Sequence, residues 1–204
     1  ETSTFELAHG RVYLRCRVCE LVFLTPSQRP APEAALTHYQ THQNDPSDSR
    51  YRAFLARVAD PLIARLSAGA RGLDYGSGPG PTLSRMLEEA GFRMALYDPF
   101  FAPDDRVLTA KYDFVTCTET AEHFFEPRRE LETLDSLLMP GGWLAMMTEL
   151  LQPGLTLSSW RYARDPTHVC FYSPATLKWV SSWLEWKPEY PDSIRGVVFF
   201  QKAM

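Results

Sequence analysis

The chain has 204 residues, 45% hydrophobic and 23% charged, the balance of a soluble globular protein long enough for one well-packed domain. Its 21 basic and 25 acidic side chains leave a formal charge of −4, which does not indicate a basic nucleic-acid surface. No apolar stretch approaches a membrane-spanning length, and residues 1–10 lack a basic segment followed by an apolar core, so neither a membrane nor a secretory route is expected. The cysteines at 16, 19, 117 and 170 form no disulfide framework, and the expected setting is reducing and cytoplasmic.

In chain order, the alternation of Val12, Leu14, Cys16 and Val18 predicts a strand, and Leu21–Leu24 a second, together a hairpin around Cys16 and Cys19. Pro26, Pro30 and Pro32 predict irregular chain over 25–34, and 35–44 is polar and aromatic. Asp45-Pro46-Ser47 reads as the start signal of a helix over about 48–67, because Phe54, Leu55, Val58, Leu62, Ile63 and Leu66 recur at helical spacing. A strand follows at 71–75, then a glycine loop, a helix over about 80–90 with Gly91 just past its end, and a strand at 93–97. Phe114–Thr118, entered by Tyr112-Asp113, is the next strand, with Cys117 as a buried small hydrophobe. A helix over 127–138, a turn at Pro140–Gly142, a strand at 143–147 and a helix from Pro174 to Trp183 continue the alternation. Extended segments at 184–188 and 197–201 suit an antiparallel pair at a sheet edge. Strands alternating with helices predict a three-layer α/β domain with a mostly parallel sheet, and ligands there bind beyond the carboxyl ends of the strands.

The segment Leu73-Asp-Tyr-Gly-Ser-Gly-Pro-Gly80 sits at such an end. Gly76 and Gly78 let the backbone turn tightly and approach a ligand, Gly80 allows close approach at the helix start, and the helix supplies unpaired N–H groups. Asp74 is placed to orient the loop and to face a positive ligand group. Asp98, at the end of the next strand, is placed to accept hydrogen bonds from ribose hydroxyls. The pattern is that of a nucleoside-containing cofactor. A dinucleotide site usually reads G-x-G-x-x-G, whereas here the spacing is G-x-G-x-G followed by Pro81, so the residues alone leave two cofactor classes open.

The glycine segment resembles the first motif of the class I S-adenosylmethionine-dependent methyltransferases. Leu96-Tyr-Asp98, Tyr112-Asp-Phe-Val115 with Thr118-Glu119, Thr118-Glu-Thr-Ala-Glu-His-Phe124 and Leu138-Met-Pro-Gly-Gly-Trp143 resemble later motifs of that family in the same order, and the resemblance covers about 50–204. It implies a Rossmann-like three-layer sandwich with a seven-stranded, mostly parallel sheet whose last strand is antiparallel. It also implies that Asp74, Gly76, Gly78 and Gly80 cradle S-adenosylmethionine, that Asp98 holds its ribose, and that Pro99 or Phe100 flanks the adenine. A side chain of Val107–Thr109, or Ala110, would pack on the other adenine face, and Thr118 and Glu119 would line the floor beneath the methyl group. Cys16-x-x-Cys19 with His38-Tyr39, His42, Asn44 and Tyr51 is similar to a subfamily that carries a zinc-ribbon-like module before the catalytic domain. Structural zinc wants four ligands, and here Cys16 and Cys19 supply two and His9 is a weak third, so no bound metal is expected. The division expected is a hairpin and lid over 1–47, with Tyr39 and His42 near the cofactor or substrate, and a methyltransferase domain over 48–204.

Methyl transfer from a sulfonium needs an aligned nucleophile and, where required, a base. His123 and His168 are the candidate catalytic residues, each weighed against an architectural role. Trp160, Tyr162 and Tyr172 are candidate walls of a substrate pocket or core residues. Arg161 and Arg164 are read as solvated. Glu119 and Glu122 lack a third spaced ligand for a metal. The expected reaction is methylation of a small molecule at oxygen or nitrogen by a monomer or homodimer. The alternatives are an NAD-dependent oxidoreductase and an inactive cofactor-binding accessory protein.

Overall fold

The computed structural model describes residues 1–41, 44–191 and 194–204. The N-terminal part forms β1 (Thr2–Ala8), β2 (Arg11–Cys16), β3 (Val22–Leu24) and the helix α1 (Pro32–Tyr39). There follow α2 (Ser49–Ile63), β4 (Arg71–Tyr75), α3 (Thr82–Glu89), β5 (Arg93–Tyr97), β6 (Tyr112–Thr118), α4 (Pro127–Leu137) and β7 (Leu138–Met147). The chain ends with β8 (Cys170–Phe171), α5 (Pro174–Trp183), β9 (Trp186–Glu189) and β10 (Val197–Lys202).

The main sheet has the order β5-β4-β6-β7-β10-β9. β5, β4, β6 and β7 run parallel, and β10 lies antiparallel to both β7 and β9. The last strand in sequence is therefore the reversed one, and it slots inside β9, as the antiparallel edge pair required. Among the described residues the sheet has six strands where the family resemblance implied seven. Between Tyr97 and Tyr112 the chain makes only a turn and a short 3-10 segment, Asp105–Thr109, with no further helix and strand. The expected turn at Pro140–Gly142 lies within β7, where the pairing with β6 shifts register.

Both faces of the sheet are covered, so successive strand residues are buried in opposite layers. On one face Leu55, Val58, Ala59 and Leu62 of α2 pack with Leu83 and Leu87 of α3 against Phe114, Ala145 and Phe199. On the other, Leu131, Leu134 and Leu137 of α4 and Leu177 and Val180 of α5 meet Leu73, Val115, Cys117, Leu144 and Phe200. Asp48 caps α2 by accepting from the Arg50 amide at 2.8 Å. α2 ends at Ile63, short of the expected 67 and two residues after Pro61, which sits inside the helix and leaves the Arg57 carbonyl without its i→i−4 partner.

The first and shortest elements are where the structure departs most from expectation. β1 was not anticipated, and neither was α1. Pro32, read as a breaker, sits in the first helical turn, where the missing N–H costs nothing. The small sheet has the order β1-β2-β3-β8, and its last strand comes from far along the chain: Val22 pairs with Phe171 and Phe23 with Cys170. Tyr13, Val22 and Leu24 are fully buried against Leu157, Trp160 and Phe171. No helix among the described residues is long and apolar enough to cross a membrane. His42, expected in the lid, lies outside the described residues.

Candidate active site

β4 is followed across the sheet by β5 on one side and β6 on the other, so the crevice at their carboxyl ends is a topological switch point. A cavity of about 680 Å³ opens there. It is lined by the 74–80 loop, by 97–101, by 118–120 and 122–125, and by Tyr39, Asp165 and His168.

The glycine loop is held from three sides. The Gly76 and Ser77 amides donate to the Tyr97 carbonyl at 2.8 and 3.1 Å, and the Gly78 amide donates to Asp98 Oδ2 at 3.0 Å. Gly76 has φ +83°, and a Cβ there would lie 2.2 Å from the Thr120 methyl carbon. A Cβ on Gly80 would lie 2.2 Å from the carbonyl oxygen of Asn44. Both positions are therefore closed to any side chain, and the loop backbone is left bare to the cavity.

The two acidic residues have different work. Asp74 is buried and spends its oxygens inside the protein: Ser84 of α3 donates to Oδ2 at 2.9 Å and Thr116 of β6 to Oδ1 at 2.7 Å. It ties the helix start to the sheet, and burial pushes its carboxyl pKa up against those two hydrogen bonds. Asp98, also buried, accepts from the Phe100 and Phe101 amides through Oδ1 at 2.8 and 3.0 Å, besides Gly78. Oδ1 is filled, and Oδ2 retains one acceptor direction for a ligand. Among the described residues, three buried side-chain oxygens lining the cavity have no partner: Ser77 Oγ, Thr118 Oγ1 and Glu122 Oε2. Pro99, Phe100 and Tyr39 also line it, and the Tyr39 and Phe100 rings are 5.7 Å apart. Val107, Leu108 and Ala110 do not line it; they pack against the core.

The far wall is built by the segment after β6 and the segment before β8. Glu119 has φ +49°, uncommon for a side chain larger than glycine, and its amide donates to the Met147 carbonyl at 2.8 Å. Burial, then Glu122 and Glu149, push its carboxyl pKa up to about 8. Glu122 is fully buried, and its Oε1 accepts from the Tyr162 hydroxyl at 2.5 Å. Tyr162 also reaches Thr148 Oγ1 at 3.2 Å; burial and the two glutamates raise its pKa far above the ordinary range. Tyr162 is thus the one of the three aromatic candidates that touches the acidic pair. Trp160 and Tyr172 are core residues, Tyr172 donating to the Ala121 carbonyl at 3.3 Å. Arg161 and Arg164 are exposed, as read from the sequence.

His123 and His168 do come together. Their rings form an edge contact with centroids 4.8 Å apart, and Tyr39 lies 5.2 Å from His123. His123 Nδ1 is 3.0 Å from the Thr167 carbonyl and His168 Nδ1 is 2.7 Å from the Tyr162 carbonyl. Burial lowers the pKa of His168. Asp165 was missed in the sequence, although Asp-Pro-Thr is a turn signal. It accepts from the Thr167 amide at 2.8 Å and lies 3.0 Å from His38 Nε2. Burial pushes its pKa up, but Thr167, His168 and His38 outweigh burial and hold it low. Among the described residues, no third histidine, cysteine or carboxylate joins Cys16 and Cys19 in a cluster of metal-binding geometry, and His9 Nε2 instead meets the Leu157 carbonyl at 3.0 Å.

A family described as "Methyltransferase domain" matches residues 47–182. Comparison with curated proteins returns no match. Among solved structures the chain is similar to the 1,6-didemethyltoxoflavin-N1-methyltransferase of Burkholderia thailandensis, crystallised with 1,6-didemethyltoxoflavin and S-adenosylhomocysteine. Identity is 16%, coverage 99% of this chain and 100% of that one, and the TM-score 0.57. It is similar to a SAM-dependent methyltransferase from Archaeoglobus fulgidus at 20% identity, covering 74% of this chain and 94% of that one with a TM-score of 0.57. It is also similar to the mitomycin 7-O-methyltransferase MmcR at 14% identity, covering 83% of this chain and 57% of that one, again with a TM-score of 0.57. At these identities the likeness speaks to the fold.

Proposed function

Because this chain belongs to the methyltransferase-domain family, we propose that it transfers a methyl group from S-adenosylmethionine to an oxygen or nitrogen of a small molecule. The observation that carries this reading is the bare glycine backbone at the end of β4 with Asp98 at the end of β5 beside it. The residues present fit the cofactor. The glycine loop presents backbone without side chains to the cavity, Ser77 and Thr118 hold hydroxyls with no partner among the described residues, and Asp98 Oδ2 has an acceptor direction left for ribose. Bound there, S-adenosylmethionine supplies an electrophilic methyl group on a sulfonium.

The chain's own residues divide the remaining work. Pro99 and Phe100 flank the adenine, and Tyr39 closes the cavity over it. Glu119 faces the cationic end of the cofactor and is stabilised as a carboxylate by it. His123 and His168 stand where an acceptor's proton must go. A carbonyl can only accept, so each Nδ1 bears the hydrogen in the neutral ring, and each Nε2 keeps a lone pair to receive that proton. The hairpin and lid over 1–47 shape the acceptor side of a domain over 48–204, in a cytoplasmic protein active as a monomer or homodimer. The similarity to the 1,6-didemethyltoxoflavin-N1-methyltransferase and the mitomycin 7-O-methyltransferase supports a small-molecule acceptor.

Isothermal titration of the folded protein with S-adenosylmethionine and S-adenosylhomocysteine tests the reading. One equivalent of each should bind, and absence of heat with both would overturn it.

A further inference from the structure

Carboxyl side chains dominate the titratable lining of the cavity. Six carboxyl residues line the cavity, Asp74, Asp98, Glu119, Glu122, Glu130 and Asp165, and no lysine or arginine does so among the described residues. Asp74, Asp98 and Asp165 are engaged by hydrogen bonds, as described above, and the Tyr75 hydroxyl donates to Glu130 at 2.5 Å. Glu122 is different. It is fully buried, only one of its oxygens is bonded, and Oε2 has no partner. An unmet carboxylate oxygen in that position is costly unless something arrives to meet it.

A pair of imidazoles stands beside Glu122, and His168 Nε2 also lies 3.8 Å from Asp165 Oδ2. Both Nε2 atoms lie 4.0 Å from Glu122 Oε1, beyond hydrogen-bonding distance. Both Nδ1 atoms are anchored on backbone carbonyls, which aims two Nε2 lone pairs at the same carboxylate. Lone pairs facing a carboxylate repel unless a proton or a cation sits between them. A histidine whose second nitrogen is fixed by a carbonyl, with its lone pair converging on a carboxylate, has the outer support found around metal-ligating imidazoles. One ligand atom from each of Glu122, His123 and His168 falls within 4.8 Å of the others. Tetrahedral coordination would bring such atoms to about 3.3 Å apart, so a bound cation would draw the three side chains together.

We infer that His123 Nε2, His168 Nε2 and the Glu122 carboxylate form a site for one divalent transition-metal cation on the acceptor wall of the cavity. Two imidazoles and one carboxylate suit zinc, manganese or cobalt rather than magnesium or calcium, which favour all-oxygen shells. Three protein ligands leave a position open toward the cavity. An acceptor would fill that position with an oxygen or nitrogen able to ligate the cation, which makes a bound hydroxyl more acidic. With the cation in place, the two histidines are its ligands and no longer receive the proton, which the acidified hydroxyl gives up to solvent water at the cavity mouth before its oxygen takes the methyl group. This role for the cation rests on the methyl-transfer reading; the binding site does not.

The test uses the full chain carrying Cys16→Ser and Cys19→Ser, so that thiolates cannot compete, stripped with chelator and titrated with Co²⁺ while visible absorption is followed. The expected result is one saturable equivalent with a ligand-field spectrum, and at least a tenfold loss of affinity in Glu122→Gln and in His168→Ala. Circular dichroism checks folding, and the isosteric Glu122→Gln carries the comparison should His168→Ala fail to fold. Absence of saturable binding, or binding of unchanged affinity in Glu122→Gln, overturns the site. Titration of the same protein with S-adenosylhomocysteine keeps the two readings apart, since cofactor binding without a cobalt site defeats only the metal inference, and the reverse defeats only the methyl-transfer reading.

Discussion

Glu119→Gln should make the protein more tolerant of alkaline pH. The Glu119 carboxyl is buried beside Glu122 and Glu149, and its pKa is pushed from 4.5 up to about 8. The native state therefore holds a proton that the unfolded chain has already released between those two values. A folded pKa above the unfolded one gives stability that is fully present below about pH 4.5 and lost as pH rises through about 8. The interval is 8 − 4.5, or about 3.5 pH units at about 1.4 kcal/mol each, which bounds the loss at about 5 kcal/mol. Glu122 shares part of that repulsion, so the expected change lies below that bound. Glutamine keeps the shape of the protonated acid and has no proton to lose. Urea unfolding of both proteins, metal-free, from pH 5 to 9 measures the effect, and taking their difference cancels common groups such as His168. Wild type should fall relative to the variant as pH rises, and the gap should level off above pH 8. Curves that stay parallel across the range would refute the placement of Glu119.

The same carboxyl should make the preference for S-adenosylmethionine over S-adenosylhomocysteine grow with pH, because only the former brings a sulfonium; calorimetric affinities with a pH-independent ratio would count against it. Asp98→Ala leaves three amides without their acceptor, so cofactor affinity should drop more than tenfold and stability by about 3 kcal/mol, both readable by titration and urea unfolding. Gly80→Ala sets a Cβ 2.2 Å from the Asn44 carbonyl, a backbone atom that cannot swing aside, and should weaken cofactor binding severely; unchanged affinity would show that the Asn44 segment yields. Tyr13→Phe removes a buried hydroxyl that lacks a partner in the structure and should raise stability by about 1 kcal/mol in a thermal melt, whereas a loss would reveal a hidden partner.

The central part of the fold is plain in the sequence because local signals and global packing agree there. Arg71–Tyr75, Arg93–Tyr97 and Pro174–Trp183 fall where the apolar runs and their punctuation put them. The first 40 residues are harder to read. β1 is half-exposed and buries little, and α1 forms after prolines whose effect depends on their place in a helical turn. The residues themselves place no strand between β5 and β6, where the chain makes only a turn and a 3-10 segment; a seventh strand is implied by the family resemblance alone. At the site, glycine spacing and Asp98 can be read directly, since backbone geometry demands those residue types. The meeting of Glu122 with His168, and the pairing of Asp165 with His38, depend on contacts across more than 40 positions, which sequence separation hides.

The suture between β3 and β8 has a consequence for how such a protein can change its substrate. Phe23 pairs with Cys170 and the Leu24 amide donates the next hydrogen bond to the Val169 carbonyl at 2.7 Å, while the Val169 amide donates to the Glu122 carbonyl at 2.8 Å. The backbone beside His168 is thus clamped between the N-terminal sheet and the loop that carries Glu122. Exchanging the first two dozen residues for those of another chain would shift this clamp along with whatever surface the graft was meant to bring. The N-terminal sheet and the acceptor wall must therefore be inherited, or engineered, as one block, whereas the glycine loop across the cavity can remain as it is.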